Sequence, residues 1–90
     1  MDENHVLDFK PRARGLIMGD LPWLARITDK ARARLENRIG DYIYPCPADQ
    51  HFLDEVQMPA EQFTVLVASC PDDGAVIEKM KAYLDSHRAP

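Results

Sequence analysis

The fold is decided by residues 20–37, which read DLPWLARITDKARARLEN. Apolar side chains recur there at spacings of three, four and four residues, which places them on one face of an α-helix: Leu24, Ile27, Ala31 and Leu35. Asp20 is a residue type that caps helix N-termini, and Pro22 would fall in the first turn, where a missing N–H does no harm. The stretch therefore predicts a helix from Asp20 to Asn37, with Gly40 ending it or forming the next turn.

The second half of the chain predicts three shorter helices. Cys46 would cap a helix that begins at Pro47, has Asp49 as its third residue and ends near Val56. Pro59 would begin the next helix, whose inward side chains follow helical spacing: Phe63, Leu66, Val67 and Cys70. A turn at residues 71–74 then precedes a last helix that runs to about residue 86 and is marked by Ile77, Met80 and Leu84.

Together these elements predict an all-α protein. Each helix is too short to be stable alone, so we expect a compact, irregular bundle of about four short helices. The whole chain, residues 1–90, would be one domain, with an irregular arm at residues 1–19, a helical core at 20–86 and a tail at 87–90. Leu16, Ile17 and Met18 would lay the arm on the core, and Trp23, Phe52 and Phe63 would be its large anchors.

Composition indicates a soluble globular protein. Hydrophobic residues make up 46% of the chain and charged residues 29%, and no apolar run approaches the ~20 residues of a membrane helix. The acidic start, MDENH, lacks the pattern of a secretory signal, so we expect a cytoplasmic protein. In that compartment Cys46 and Cys70 are expected to be free thiols.

Charge is distributed unevenly along the chain. Residues 10–38 hold eight Lys or Arg against three Asp or Glu, whereas residues 41–78 hold eight Asp or Glu and no Lys or Arg. The two segments can face and neutralise each other, or the first can form a basic face for an anionic partner. The net charge of −4 favours the first interpretation.

The most unusual segment is residues 42–50, which read YIYPCPADQ. Tyr44 and Cys46 each precede a proline, which restricts both to extended conformations. Tyr42 and Tyr44 would point to the same side of an extended chain, either to clamp the first helix through Asp29 or a backbone carbonyl, or to line a pocket with Gln50. The clamp is the favoured interpretation.

Two parts of the chain together resemble a known family. Residues 24–32 follow the pattern L-x-R-x-x-D-K-A-R, and residues 40–50 follow G-x-Y-x-Y-x-C-P-x-D-Q. This is similar to a short bacterial family described only as a domain of unknown function, over about residues 15–84. Ala48 and residues 57–59 depart from the pattern and leave its polar positions intact. The resemblance implies a shared small helical fold and no particular reaction.

Cys46 is the sharpest chemical candidate. A thiol at a helix N-terminus meets the positive end of the helix dipole, which favours the thiolate, whereas the negative charge of Asp49 opposes it. Asp49 would instead accept the backbone N–H of Cys46, as in a capping box. The favoured interpretation is that Cys46 is a small apolar residue completing a turn.

No spacing of His and Cys indicates a metal site, and no cofactor is predicted.

Arg26, Lys30 and Arg34 recur every four residues and would form a basic ridge beside the apolar stripe. A phosphate or carboxylate could bridge two of them, although a solvated face with pairs such as Arg26–Asp29 and Arg32–Glu36 is the preferred interpretation. With an isoelectric point near 5.2, the chain argues against a nucleic-acid partner.

The leading hypothesis for function is a small, non-enzymatic binding or protein-interaction module. Its partner would be another protein or a small anionic ligand, and the candidate binding residues are Arg26, Asp29, Lys30, Tyr42, Tyr44, Cys46, Asp49 and Gln50. The alternative is a small thiol-dependent enzyme, or an anion-binding protein, that uses Cys46 with the Arg26–Lys30 ridge. A third interpretation gives these residues a purely structural role, in which they join the first helix to the loop. The sequence leaves the oligomeric state open.

Overall fold

A computed structural model describes residues 9–86 of the chain. In this part the chain forms a two-stranded hairpin and four α-helices. The strands are β1 (Ile17–Met18) and β2 (Leu21–Pro22), and the helices are α1 (Leu24–Leu35), α2 (Pro47–Val56), α3 (Ala60–Ala68) and α4 (Asp73–Ser86). The predicted helical bundle is confirmed. The predicted tail at 87–90, and residues 1–8 of the predicted arm, lie outside the described residues.

The arm is more ordered than the sequence suggested, because β1 and β2 pair as an antiparallel hairpin. Gly19 and Asp20 form its two-residue turn, with φ angles of 60° and 67°, and positive φ at both positions identifies a type I′ turn. A Cβ atom added at Gly19 would lie 2.8 Å from Cγ2 of Ile77. The hairpin turn therefore packs directly on α4, and only glycine fits there.

This hairpin corrects the predicted start of the first helix. Asp20 is in the turn and Pro22 is in β2, so neither caps nor begins α1. Trp23 occupies the N-cap position with a left-handed backbone, φ 77°, and α1 begins at Leu24. A helix cap and a type I′ turn are alternative conformations for the same residues, and the chain adopts the turn. Met18, which precedes the turn, is buried in the core.

The end of α1 also comes earlier than predicted. Asn37 adopts a positive φ, and the N–H of Arg38 donates to the carbonyl of Ala33 at 2.8 Å. This Schellman arrangement satisfies the last carbonyls of the helix with asparagine in place of glycine. Gly40 then lies in the following turn. Leu35, predicted to face inward, is 47% exposed because the helix ends there.

The later helices agree closely with their predicted bounds. Residue Asp72 caps α4, since its carboxylate accepts the N–H of Ala75 at 2.9 Å. Pro59 stands just before α3 rather than within it, and Cys70 lies just beyond its end. Cys70 is nevertheless buried, and both cysteines are free thiols, as predicted.

The core is built around α1, whose buried side chains point in more than one direction. Leu24, Ile27 and Ala31 are fully buried, and α1 packs chiefly on α3. Phe52 of α2 meets Phe63 of α3 edge to face at 6.5 Å, which joins these two helices. Trp23 is only half-buried, so it is less of an anchor than predicted. The polar flank of α1 is buried as well, and it carries the candidate site.

Candidate functional site

The centre of the candidate site is a buried ion pair between α1 and α2. Nζ of Lys30 lies 2.6 Å from Oδ2 of Asp49, and their side chains are 3% and 0% exposed. Lys30 reaches this position because it lies on a buried part of α1, where its neighbours Ile27 and Ala31 are also buried. Asp49 reaches it as the third residue of α2, whose start is fixed by Pro47.

Asp49 accepts two further hydrogen bonds. Its Oδ2 accepts the backbone N–H of Cys46 at 3.0 Å, which confirms the predicted cap of α2, and its Oδ1 accepts Nε1–H of Trp23 at 2.8 Å. Burial by itself would raise the pKa of Asp49, but the bonds from Lys30, Cys46 and Trp23 together hold that pKa below its ordinary value. Asp49 is therefore a carboxylate at neutral pH.

The Cys46 thiol completes this group. Nζ of Lys30 lies 3.4 Å from Sγ of Cys46, so one ammonium contacts both the thiol and the carboxylate. We call Trp23, Lys30, Cys46 and Asp49 the polar cluster. Cys46 is half-buried and lies on the loop side of the cluster.

Asp29 is held by a residue that the sequence did not single out. The guanidinium and backbone N–H of Arg12 donate to Asp29 at 2.8–2.9 Å. The predicted contacts of Asp29 with Arg26, and of the tyrosines with Asp29, are wrong, because Arg12 occupies both carboxylate oxygens. Asp29 thus fastens the arm to α1.

The same arginine reaches α4. Arg12 Nη1 lies 2.8 Å from Asp73, and Nη1 of Arg32 lies 2.9 Å from the other oxygen of that carboxylate. Arg32 therefore pairs with Asp73 and not with Glu36. The hydrogen bond from Arg12, followed by the one from Arg32, lowers the pKa of Asp73, and the two carboxylates raise that of Arg12. These pairs join the basic and acidic segments, as the favoured charge interpretation expects.

The two tyrosines separate. Tyr44 is buried, and its hydroxyl lies 2.7 Å from Oγ1 of Thr64 on α3. Burial is the main cause that raises the pKa of Tyr44. Its carbonyl accepts a bond from Arg34 at 3.3 Å. Tyr42 is 37% exposed. The loop is thus fastened to α3 and α1 through Tyr44, whereas Tyr42 remains at the surface.

The predicted basic ridge does not form one surface. Lys30 is buried in the polar cluster, Arg34 turns to the Tyr44 carbonyl, and Arg26 turns to the Arg12 carbonyl at 3.2 Å. Gln50 lies on the exposed face of α2 and bonds Asp54 at 2.9 Å. Of the candidate residues, the structure brings together Lys30, Cys46 and Asp49 in one place and Arg26 and Tyr42 in another.

Arg26 and Tyr42 belong to a second group, in which guanidinium groups lie over aromatic rings. Arg14 and Arg26 lie over Trp23 at 5.5 and 5.8 Å, and Arg26 also lies over Tyr42 at 5.9 Å. The row continues through Phe9, whose ring meets Tyr42 at 5.6 Å and lies under Arg38 at 5.4 Å. We call this group the arginine–aromatic surface: Phe9, Arg14, Trp23, Arg26, Arg38 and Tyr42.

Sequence reasoning missed four of the residues that organise these groups, namely Phe9, Arg12, Trp23 as a hydrogen-bond donor, and Asp73. Arg12 and Asp73 are 61 positions apart, so no local pattern links them. A signal did exist for Trp23, since it was predicted as a core anchor and a buried indole N–H needs an acceptor.

Within residues 9–86, no group of three or more His, Cys, Asp or Glu side chains is placed to hold a metal ion. Over the same residues, no helix has the length and apolar character needed to cross a membrane.

The chain belongs to the family "Domain of unknown function (DUF5069)", whose model matches residues 9–90. This confirms the resemblance to a short family of unknown function, whereas the motif pattern and the bacterial source stay predictions. A search of curated proteins found no match.

Proposed function

We propose that this domain is a small, non-enzymatic binding module whose contact surface is the arginine–aromatic surface. The observation that supports this is the contrast in accessibility between the polar groups. Lys30 and Asp49 form an ion pair with each other inside the fold, whereas Arg14, Arg38 and Tyr42 lie at the surface. Arginine and aromatic side chains are the types enriched at the centres of protein interfaces.

The proposed partner carries negative charge. Arg14 makes no hydrogen bond or ion pair with any other described residue, and neither does Lys10 beside Phe9. Guanidinium groups that lie on aromatic rings are held in place before binding, so less side-chain entropy is lost when an anion arrives. A surface of this kind attracts carboxylates or phosphates and steers their approach.

The test is a quantitative capture experiment with the tagged domain in an extract of its native cells. Four baits are compared: the wild type, Arg14→Glu/Arg38→Glu, Cys46→Ala, and Lys79→Glu/Lys81→Glu. The last variant changes net charge equally but on α4. We expect proteins retained by the other three baits to be lost from Arg14→Glu/Arg38→Glu. Equal retention by all four baits, or no retention by the wild type, contradicts the proposal.

A second candidate function is thiol chemistry at Cys46, and one contact favours it. The Lys30 ammonium lies 3.4 Å from Sγ at the N-terminus of α2, a setting in which reactive cysteines are found. The test is the pH dependence of alkylation by iodoacetamide, with buried Cys70 as the internal comparison. A Cys46 that reacts no faster than free cysteine near neutral pH removes this candidate.

A further inference from the structure

We propose that the partner is an acidic segment of another polypeptide, and that one of its carboxylate side chains enters a depression at the Phe9 end of the arginine–aromatic surface. The inference rests on the proposed binding function and names its partner class. The depression has a volume of about 390 Å³ and is lined by Phe9, Lys10, Asp29, Arg32 and Arg38.

The charge of this depression suits a single carboxylate. Three of its lining side chains are cationic, of which Arg32 pairs with Asp73, and its one carboxylate, Asp29, is already held by Arg12. Lys10 is exposed and has no ion-pair partner among residues 9–86. Arg38 pairs with the exposed Glu36, a contact that an incoming carboxylate can replace at little cost because surface pairs are weak.

The position of the arginines over the rings favours a carboxylate over a nucleic-acid base. A guanidinium carries five N–H donors, which can form a fork with a carboxylate while the group stays beside the ring. A base would need the ring face itself. Each of Phe9, Trp23 and Tyr42 already has a guanidinium over it, so a base would first have to displace an arginine.

The charge of the rest of the chain points the same way. Residues 41–78 hold eight carboxylates and no Lys or Arg, and the net charge is −4. A polyphosphate strand carries charge along its whole length and would be repelled wherever it left the basic surface. A short acidic peptide can lie entirely within the basic surface and so avoid this repulsion. Tyr42 and Ile43, which are 37% and 67% exposed, offer apolar contact beside the charges.

The experiment uses a fluorescent peptide of alternating glutamate and serine, the same peptide with lysine for glutamate, and single-stranded oligothymidylate of equal length. Binding to the full chain is measured by anisotropy at two salt concentrations and located by amide NMR shifts. The variant is Lys10→Glu/Arg38→Glu, and the control is Lys79→Glu/Lys81→Glu, which makes the same charge change on α4.

We expect the glutamate peptide alone to bind, with shifts at residues 9–14 and 38–42 and weaker binding at higher salt. The Lys10→Glu/Arg38→Glu change should weaken it about tenfold or more, and the control should leave it within about twofold. Binding of oligothymidylate without the glutamate peptide, shifts confined to other residues, equal affinity of both variants, or no binding at low salt each overturn the inference. The proposed function survives any of these if capture of a native partner still depends on Arg14 and Arg38.

Discussion

The polar cluster and the arginine–aromatic surface use similar residues in opposite ways. In the polar cluster the Lys30 ammonium is removed from water and is compensated by Asp49 and the Cys46 thiol. At the surface, Arg14 and Arg26 lie over the Trp23 ring, and the Arg14 side chain is exposed. Removing one partner of the buried first group should destabilise the fold, whereas the accessible second group is the proposed contact surface.

Trp23 belongs to both groups and shows how close they are. Its Nε1–H donates inward to Asp49 at 2.8 Å, while its ring carries Arg14 and Arg26 on the outside. Arg26 and Lys30 are only one helical turn apart on α1, yet one is half-exposed and the other is 2% exposed. Residue type and spacing alone therefore do not tell a binding cation from a structural one.

The largest expected effect is the loss of the buried ammonium. Lys30→Met leaves the Asp49 carboxylate buried without its counter-ion, which costs about 3–5 kcal/mol of unfolding free energy. Urea denaturation followed by circular dichroism measures this loss. Lys79→Met, at an exposed position of α4, is the matched control and should change stability by less than about 0.5 kcal/mol. Similar small losses for both would show that the polar cluster is not what stabilises the fold.

Acid should act on the ion pairs of Asp49 and Asp73 next. The pKa values of Asp49 and Asp73 are lowered in the folded state, so the stabilisation from both is complete above the ordinary carboxyl pKa of about 3.9. It is lost as the pH falls further, through the lowered values, because the unfolded chain binds those protons first. Urea midpoints between neutral pH and pH ~2 measure this, and Asp73→Asn should flatten part of the decline. A midpoint that rises on acidification contradicts the account.

The two tyrosines offer a smaller comparison within one segment. Tyr44→Phe removes the hydroxyl that bonds Thr64 and should cost about 1 kcal/mol, whereas Tyr42→Phe should cost close to nothing. Thermal melting of the two single variants and of Thr64→Val checks this. If Tyr42→Phe proved the more damaging change, the division between a structural and an exposed tyrosine would be wrong.

The smallest effect on stability is expected at the arginine–aromatic surface. Arg14→Ala removes one exposed cation–π contact with Trp23, worth about 0.5–1 kcal/mol at most. Chemical denaturation should show a loss near the limit of detection. A loss as large as that of Lys30→Met would mean that this surface holds the fold together and is not free for a partner.

Most of the helical fold followed from the sequence because its signals are local. The start of α2 at Pro47 and its cap by Asp49 depend on residues within one turn, and the last helix follows its apolar spacing and the Asp72 cap. The β1–β2 hairpin was missed because Gly19-Asp20 reads equally as a turn or as a helix cap, and only the contact of Gly19 with Ile77 decides between them.

The candidate site was predicted less well because its contacts are long-range. Lys30 and Asp49 were both candidate residues, but they are 19 positions apart, and no local pattern indicates that they pair. The Arg12–Asp73 pair and the Phe9–Tyr42 contact depend on the path of the arm, which carries no periodic signal. Charge counts indicated that the two halves attract, but not which side chains remain exposed.

The most direct test of the division between structure and binding compares Tyr44→Phe with Lys10→Glu/Arg38→Glu in two assays, unfolding free energy and affinity for the glutamate peptide. The account predicts that Tyr44→Phe lowers stability by about 1 kcal/mol and leaves affinity unchanged, because its hydroxyl bonds Thr64, which is not part of the arginine–aromatic surface. It predicts that Lys10→Glu/Arg38→Glu weakens binding about tenfold or more at nearly unchanged stability. If Tyr44→Phe weakened binding and the charge reversal did not, the account would be contradicted.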